Sequence, residues 1–325
     1  MASALSENIV EIRDLSVTFV GGRDVHAVNA LSLDLAPGEV LCVLGESGSV
    51  TLLPLRAMLR ILPSRRTRIA GSIRVAGRDV LALEGRALED YRGGIVSMIF
   101  QEPMLAFDPV FTIGEQIAET VMRHTGADRL KARARALEML EHVRIPSAKR
   151  RLDSYPHEMS GGMRQRAMIA LALACGPKLL LADEPTTALD ATVQIQILLL
   201  LRELQRELGM SVIFVTHDVG VACEVADRIA VMYAGRIVES GAARDVVKDP
   251  RHPYTAGLLA SIVRGELRGK RIDAIAGSPP DLSALPAGCA FAARCRQARA
   301  ECHTAPPAVR ALAGGREVRC IIPTS

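Results

Sequence analysis

The stretch Gly45-Glu46-Ser47-Gly48-Ser49-Val50-Thr51-Leu52 follows a short apolar run, Glu39 to Leu44, and leads into Leu52 to Leu62, which has the composition of a helix. A strand, a glycine-rich loop and a helix in this order are typical of a phosphate-binding loop. That loop needs Gly, Lys and then Ser or Thr at its last three places, where this chain has Val50, Thr51 and Leu52. The stretch predicts an α/β fold whose phosphate loop has lost its lysine and its metal-binding hydroxyl.

The two lost side chains normally contact the phosphates of ATP and the Mg²⁺ ion, respectively. No lysine precedes Lys131, and Arg56 lies more than one helical turn beyond the loop. The backbone N–H groups of Gly45 to Ser49 can still face an anion, so weak nucleotide binding is compatible with the sequence. A natural change, a sequence error and an engineered change would all produce these residues.

The length and charge of the chain limit the function classes. A chain of 325 residues is long enough for one large domain and a smaller one. Its net charge of +4 does not by itself indicate nucleic-acid binding. The first residues lack a signal peptide, and the longest apolar run, Ala167 to Leu181, is interrupted by Gly176-Pro177-Lys178. We expect a cytoplasmic protein that reaches a membrane only through partners.

Strands and helices alternate along the chain. Ile9 to Phe19 has the alternation of a strand, and apolar strands at Leu179 to Ala182 and Ser211 to Val215 flank a long helix, Ala191 to Leu208. This alternation predicts a parallel sheet in an α/β core. The stretch from Gly71 to Val80 predicts a hairpin.

The composition changes twice along the chain. A charged, helical pattern runs from Pro103 to about His157, and a hairpin turning at Ala234-Gly235 follows later. After about Asp249, Pro, Ala, Arg and Cys become frequent. We therefore predict a nucleotide-binding domain over 1–249 and a C-terminal extension over 250–325.

Polar residues that could carry chemistry follow the predicted strands. Asp183 and Glu184 end the strand that starts at Leu179, where one acid can hold Mg²⁺ and the next can polarise a water molecule. Ser160-Gly161-Gly162 opens a helix, with Ser160 as its predicted N-cap. Each pattern also has an ordinary structural explanation, namely an acidic turn or a Gly-Gly loop.

The order of these motifs resembles that of an ABC-type ATPase. The resemblance implies that Gln101 contacts Mg²⁺ and the permease, that Glu184 is the catalytic base and that His217 is the switch histidine. It implies that Asp183 also holds Mg²⁺ and that 188–190 form the D-loop. The ATP-binding set so implied is Phe19 (stacking on adenine), Gly45, Glu46, Ser47, Gly48, Ser49, Val50, Thr51, Leu52, Ser160, Gly161, Gly162 and Asp190.

Two further segments are similar to one subfamily. Met98 to Met104 and His157 to Arg166 look like the D-type ATP-binding subunit of bacterial oligopeptide and dipeptide importers, and His252-Pro253-Tyr254-Thr255 is similar to the motif that opens its C-terminal extension. The resemblance implies an ABC-type fold with a parallel-sheet core, an antiparallel β subdomain, a helical subdomain at about 103–165 and a small extension that contains cysteines.

The same resemblance implies the partners. They are two transmembrane permease subunits, a second ABC ATPase subunit in a head-to-tail dimer, and a periplasmic or extracellular solute-binding protein, with no nucleic acid. The expected function is to couple ATP binding and hydrolysis to peptide uptake at the cytoplasmic face of the membrane. The altered loop predicts that the chain's own ATP site is impaired, while Ser160 to Gly162 could complete the partner's site.

Two alternatives stay open on the sequence. A non-catalytic ABC subunit would hold its partners together without turnover, and the residues at 50–52 favour it. A soluble ABC ATPase of DNA repair or translation fits less well, because such proteins usually carry two ATPase halves or a long coiled-coil insertion in one chain. Related importers also carry nickel or other small solutes, so the sequence does not decide the cargo.

Four of the seven cysteines lie near the end of the chain: Cys289, Cys295, Cys302 and Cys320. Some members of the resembled family bind a [4Fe–4S] cluster through clustered cysteines there, and four thiolates suit such a cluster. Structural zinc is the alternative, although closely spaced Cys pairs are absent. Cys42, Cys175 and Cys223 lie singly in apolar segments, which predicts buried thiols.

Overall fold

The computed structural model describes residues 8–46, 51–186, 190–261 and 275–322. The strands are β1 (Val10–Phe19), β2 (Val25–Leu35), β3 (Val40–Gly45), β4 (Thr67–Val75), β5 (Arg78–Asp79), β6 (Val96–Ile99), β7 (Leu179–Asp183), β8 (Ser211–Thr216), β9 (Arg228–Tyr233), β10 (Arg236–Ala242), β11 (Arg310–Leu312) and β12 (Arg316–Val318). The α-helices are α1 (Leu53–Met58), α2 (Gly85–Gly94), α3 (Ile113–Thr125), α4 (Arg129–His142), α5 (Ala148–Arg151), α6 (Gly161–Leu173), α7 (Ala191–Leu208), α8 (Val219–Val225), α9 (Ala243–Lys248) and α10 (Pro253–Ala260).

The first of two compact units comprises Met1–Ile9, Leu35–Glu39 and Val75–Phe214. Its sheet contains β8, β7 and β6 in that order, and β6 and β7 are parallel, with Val96 opposite Leu179. All five residues of β7 are buried, which explains why its sequence is an unbroken apolar run rather than an alternating one. The predicted parallel core is present in this unit.

Helices form the rest of the first unit. Helix α3 begins at a capping box in which Thr112 and Glu115 exchange hydrogen bonds, and Asp128 caps α4 by accepting from the backbone N–H of Lys131 at 2.9 Å. Helices α3 and α4 pack against each other and against α6. The charged stretch from Pro103 to His157 is largely helical, as the sequence predicts, because its N-caps and its apolar faces both favour helices.

The second unit comprises Val10–Asp34, Val40–Arg74 and Val215–Ser325. One sheet has the order β2, β1, β4, and a second has the order β11, β12, β10, β9, β3. In the second sheet β3 is parallel to β9, and β9 is antiparallel to β10. The sheet is therefore mixed, and its parallel strand β3 is buried along its whole length.

The hairpin between β9 and β10 turns at Ala234 and Gly235, as predicted. Both residues have a positive φ, 47° and 80° respectively, which a two-residue hairpin turn requires. A Cβ at Gly235 would lie only 2.5 Å from the carbonyl oxygen of Ala27. The backbone of the neighbouring strand therefore also requires glycine at this position.

Helix α1 is shorter than the sequence predicts. The apolar pattern predicts a helix over Leu52 to Leu62, whereas α1 ends at Met58. Arg60 adopts a φ of 55°, a left-handed conformation that a right-handed helix cannot contain. The chain therefore leaves the helix well before Pro63.

Two short strands of the extension were not predicted. In the second unit β12 pairs with β10 in antiparallel register, with Val318 opposite Glu239, and β11 pairs with β12. Each strand has only three residues, too few to show a period of two. The C-terminal segment thus adds strands to the mixed sheet, and the domain boundary at residue 249 stays a prediction.

A buried ion pair fixes β12 to β10. Arg316 donates from Nη2 to Glu239 Oε1 at 2.8 Å, and the side chains of Arg316 and Glu239 are only 8% and 1% exposed. The carboxylate of Glu239 also accepts from the backbone N–H groups of Arg251 and His252 at 2.8 and 2.9 Å. Three donors therefore compensate for burial of this charge.

His252 opens the helix that follows. Its Nδ1 accepts from the backbone N–H of Tyr254 at 3.0 Å and so caps α10. Burial lowers the pKa of His252 to about 4, because desolvation disfavours the imidazolium ion. The ring is therefore neutral at physiological pH, as an accepting Nδ1 requires.

We predict that Arg316→Met lowers the free energy of unfolding by about 3–5 kcal/mol, because it leaves the Glu239 carboxylate buried without its cationic partner. Urea unfolding of the purified chain measures this loss. The matched control is Asp34→Asn, which breaks the exposed 2.5 Å pair between Arg13 and Asp34 and should cost less than about 1 kcal/mol. Equal losses in the two variants would contradict the anchoring role of Arg316.

Candidate functional site

The carboxyl end of β7 in the first unit carries the two predicted acids. Asp183 is the last residue of the strand and is buried, and Glu184 follows it half-buried. The φ of Glu184 is 40°, a left-handed conformation that costs a residue with a Cβ about 1–2 kcal/mol. Such strain is concentrated at functional sites, and it turns the chain sharply directly after the strand.

Gln101 lies beside Glu184. The side-chain amide of Gln101 donates from Nε2 to Glu184 Oε2 at 3.2 Å, although the two residues are far apart in sequence. The structure therefore brings together two residues that the sequence predicts as site residues. One oxygen of the Glu184 carboxylate is held by the side-chain amide of Gln101.

The predicted signature segment starts α6. Ser160 is its N-cap and accepts from the backbone N–H of Met163 at 3.4 Å, so the predicted cap is confirmed. From the buried face of the same helix, Gln165 donates to the carbonyl oxygen of Pro185 at 2.5 Å. This hydrogen bond ties the signature helix to the turn that follows Glu184.

The predicted D-loop ends at the start of α7. Asp190 accepts from the backbone N–H of Val193 at 3.0 Å and caps the helix. A Cβ at Gly162 would lie 3.2 Å from Val193 Cγ1, so the signature glycine is close to the first turn of α7. The D-loop positions Ala188 and Leu189 lie outside the described residues.

The second unit holds the remaining predicted residues. Gly45 ends β3, Phe19 ends β1 half-buried, and His217 follows the end of β8 exposed. A Cβ at Gly45 would lie 2.9 Å from Thr51 Oγ1 and 3.0 Å from the carbonyl oxygen of Met232. The backbone is crowded here, which explains glycine at the first place of the loop. Ser47, Gly48, Ser49 and Val50 lie outside the described residues.

Two of the three altered places, 51 and 52, lie within the described residues. Thr51 and Leu52 are both buried, and so are the first three residues of α1, Leu53 to Leu55. Leu52 is the N-cap residue of α1 and makes no side-chain capping hydrogen bond. The first exposed polar side chain of α1 is that of Arg56. The segment after the loop is therefore apolar and buried up to that residue.

Glu46, the second residue of the loop, is held by the C-terminal extension. Its backbone N–H donates to Tyr254 Oη at 2.9 Å. Its carboxylate accepts two hydrogen bonds from Arg294, both at 2.8 Å, and these bonds raise the pKa of Arg294. No local pattern points to Arg294, because its contact with Glu46 joins residues far apart in the chain.

The four clustered cysteines line one small cavity of about 20 Å³, together with His252 and Phe291. Burial raises the pKa of Cys289, Cys295 and Cys320, whereas metal ligation requires thiolates. Among the described residues, no group of three or more His, Cys, Asp or Glu side chains is arranged to hold a metal ion. The donor chemistry suits a cluster, but the arrangement does not support the predicted [4Fe–4S] site.

Comparison with known proteins identifies the family. The sequence profile of the ABC transporter family matches residues 28–187. A second profile, "Oligopeptide/dipeptide transporter, C-terminal region", matches residues 238–302. A putative peptide import ATP-binding protein of Brucella melitensis is 47% identical over an aligned length of 326 that covers 96% of each chain. This chain belongs to the ABC transporter family.

Further similar proteins agree with this assignment. The oligopeptide transport ATP-binding protein OppD of Salmonella typhimurium is 46% identical over 316 residues, which cover 97% of this chain and 94% of OppD. The dimeric ATP-binding cassette MJ0796 bound to ADP and Pi is 28% identical, with a TM-score of 0.64 over 72% of this chain and 99% of MJ0796. The predicted ABC ATPase fold is confirmed.

Membership implies an ABC ATPase that uses ATP and Mg²⁺. Its predicted site residues are distributed over both units: Gln101, Asp183, Glu184, Ser160 to Gly162 and Asp190 lie in the first, and Phe19, Gly45, Glu46, Thr51, Leu52 and His217 lie in the second. Within the part of the chain that the structure describes, no helix is both long and apolar enough to cross a bilayer.

We predict that Glu184→Gly makes the chain about 1 kcal/mol more stable than Glu184→Ala, because glycine adopts the left-handed backbone at this position without strain. Both variants remove the hydrogen bond from Gln101, so their difference reports only the backbone. Thermal or urea unfolding of the two purified variants provides the comparison. Equal stabilities would show that the backbone at Glu184 relaxes without cost.

Proposed function

We propose that this ABC ATPase is the ATP-binding subunit of a peptide importer. The supporting observation is similarity over nearly the whole chain to proteins named for peptide import, including the C-terminal region typical of oligopeptide and dipeptide transporters. The proposed role is to convert ATP binding and hydrolysis into opening of a membrane pathway that other subunits form. Peptides are the proposed cargo.

The proposed partners follow from this role. Two transmembrane permease subunits form the pathway, a second ABC ATPase subunit completes a head-to-tail dimer, and a solute-binding protein delivers the peptide. The chain would bind peripherally at the cytoplasmic face of the membrane. The dimer of the similar cassette MJ0796 supports the paired arrangement.

The acids after β7 have the proposed catalytic roles. Glu184 acts as the general base that orients and deprotonates the attacking water, and its 3.2 Å hydrogen bond from Gln101 keeps the carboxylate in place. His217, at the end of β8, would contact the γ-phosphate, and Phe19 would stack on adenine.

A magnesium ion would be held by Asp183 and Gln101. Both supply oxygen ligands, and Mg²⁺ usually takes only one or two protein carboxylates together with waters and substrate phosphates. The donors present therefore fit the ion in part, since Leu52 stands where a hydroxyl ligand is expected. When bound, the ion would neutralise charge on the β- and γ-phosphates.

We also propose that the chain's own ATP site is impaired. Thr51 has no charge to compensate the phosphates, and Leu52 has no oxygen to ligate Mg²⁺. Their burial supports this proposal, because apolar side chains occupy the start of α1 up to Arg56. A helix whose first residues are buried and apolar does not favour binding of the ATP phosphates, because a charge placed there loses hydration.

A mixed dimer of this chain with an ABC ATPase subunit whose loop is intact would reconcile an impaired ATP site with a role in ATP-driven import. In a head-to-tail pair each ATP lies between one subunit's phosphate loop and the other subunit's signature. Ser160, Gly161 and Gly162 are intact here, with Ser160 capping α6, so this chain can complete the site of a partner with an intact loop. One working site would then drive transport.

A non-catalytic subunit is the second candidate function. The uncharged residues at 51 and 52 favour it, because they lack the lysine charge and the metal-binding hydroxyl of an intact loop. The chain retains both acids, Asp183 and Glu184, and the backbone at Glu184 is strained. These features favour a catalytic subunit. Measuring turnover in the assembled complex separates the two.

We also propose a metal site in the C-terminal extension. A [4Fe–4S] cluster, or zinc as the alternative, would be bound by Cys289, Cys295, Cys302 and Cys320. The four thiols line one cavity of about 20 Å³, which brings the four donors to one place, although the described residues are not arranged as a metal site. Iron, sulfide and zinc analysis of anaerobically purified chain tests it directly. No function proposed above depends on the result.

We predict that restoring Gly-Lys-Ser at positions 50–52 lets the purified chain bind Mg-ATP at micromolar to low-millimolar concentrations, whereas the unchanged chain binds at least about tenfold more weakly, which corresponds to about 1.4 kcal/mol. Isothermal titration calorimetry gives both affinities. The control carries Gly-Met-Ser at the same positions and separates the lysine charge from the change in backbone. Equal binding by the unchanged and restored chains would refute impairment of the loop.

We further predict that Ser160→Arg in this chain abolishes ATP turnover by the complex with its partner ATPase, because a bulky cation displaces the signature from the partner's ATP. The matched control is Asp190→Asn, which keeps an N-cap for α7 and should retain measurable turnover. Phosphate release by the assembled complex is the measurement. Hydrolysis at two equivalent sites in the unmodified complex would overturn the mixed-dimer proposal.

A further inference from the structure

The guanidinium of Arg294 is completely engaged within the second unit. It donates to both carboxylate oxygens of Glu46 at 2.8 Å and to Tyr233 Oη at 3.2 Å. It also donates to the carbonyl oxygens of Ala276 at 3.0 Å and Ile275 at 3.3 Å. These contacts occupy all five N–H donors of an arginine, so Arg294 cannot also replace the missing lysine as a phosphate ligand.

Aromatic side chains fix the position of this arginine. Its guanidinium carbon lies 5.8 Å from the ring centroid of Tyr233 and 5.9 Å from that of Phe291. Tyr254 contacts both rings and is fully buried. The side chain of Arg294 is only 5% exposed, and an arginine this well buried and fully bonded is preorganised rather than mobile.

Glu46 is the residue on which these contacts converge. Its carboxylate is bound by Arg294 and its backbone N–H by Tyr254 Oη at 2.9 Å, and both partners belong to the C-terminal extension. Glu46 directly follows Gly45, where β3 ends and the phosphate loop begins. A carboxylate beside an anion-binding loop repels phosphate unless a cation neutralises it.

We propose that Arg294 is a positioning residue for the ATP site, which holds Glu46 at the entry of the phosphate loop and neutralises its carboxylate, so that nucleotide binding depends on the C-terminal extension. This proposal rests on the proposed ATP site. It assigns the extension a part in nucleotide binding through two hydrogen-bonded contacts, one to the backbone and one to the side chain of the same residue.

The test uses the full chain with Gly-Lys-Ser restored at positions 50–52, because its affinity for Mg-ATP is measurable by calorimetry. In that background Arg294→Met should weaken Mg-ATP binding about tenfold, because the carboxylate of Glu46 then repels the phosphates without a cation beside it. Arg294→Lys should recover part of the loss, since an ammonium keeps the charge but not the two-point contact. The matched control is Arg296→Met, because Arg296 is exposed and two residues away.

A second readout does not depend on nucleotide. Hydrogen exchange of the Glu46 amide, measured by NMR, should accelerate at least about tenfold in Arg294→Met, while amides in α7 exchange unchanged, because the expected opening is local. Tyr254→Phe, which removes the acceptor of the Glu46 N–H, should also accelerate this amide. A general acceleration across both units would mean that Arg294 only supports the fold, and it would overturn the proposal.

The outcomes distinguish failure of the positioning role of Arg294 from failure of the proposed ATP site. If the restored chain binds Mg-ATP and Arg294→Met binds equally well, the positioning role is wrong and the proposed ATP site stands. An unchanged Glu46 amide in Arg294→Met also overturns the positioning role. If the restored chain itself fails to bind Mg-ATP, the proposed ATP site is wrong, and the role of Arg294 in nucleotide binding falls with it.

Discussion

Burial of parallel strands on both faces is the constraint on which the candidate site depends. β3, β7 and β8 are buried at every residue, so the side chains along each strand face the core and only those at the strand ends can reach a ligand. Polar chemistry can begin only where each strand ends. Gly45, Asp183 and His217 stand at or directly after those ends, which is where open α/β sheets bind their ligands.

The altered loop shows how far a fold tolerates loss of its chemistry. Val50-Thr51-Leu52 removes the lysine and the hydroxyl, yet α1 forms and its first turn is buried. Apolar residues are better suited than Lys and Ser to an interior position, so the fold does not require the original residues.

Sequence reasoning succeeded where local signals agree with tertiary structure. Helix α7 spans Ala191–Leu208 as predicted, because Asp190 caps it and its apolar residues repeat with helical period. The prediction for α1 was too long, since the apolar pattern continues beyond Arg60 although the backbone turns left-handed there. The contact between Gln101 and Glu184 was not predicted, because no local pattern encodes a distance between two residues so far apart in the sequence.

The strands of the C-terminal extension escaped prediction for a physical reason. They are three residues long, and buried ion pairs join the extension to the rest of its unit. Arg316 is paired with Glu239 on β10, and Arg294 with Glu46 beside the phosphate loop.

An isolated buried charge is far too costly to persist, so each arginine requires its acid and each acid requires its arginine. Hydrophobic periodicity does not reveal charge pairs of this kind. The pair between Arg294 and Glu46 nevertheless joins the extension to the phosphate loop within one unit. An extension that merely followed the ATPase domain would need neither contact.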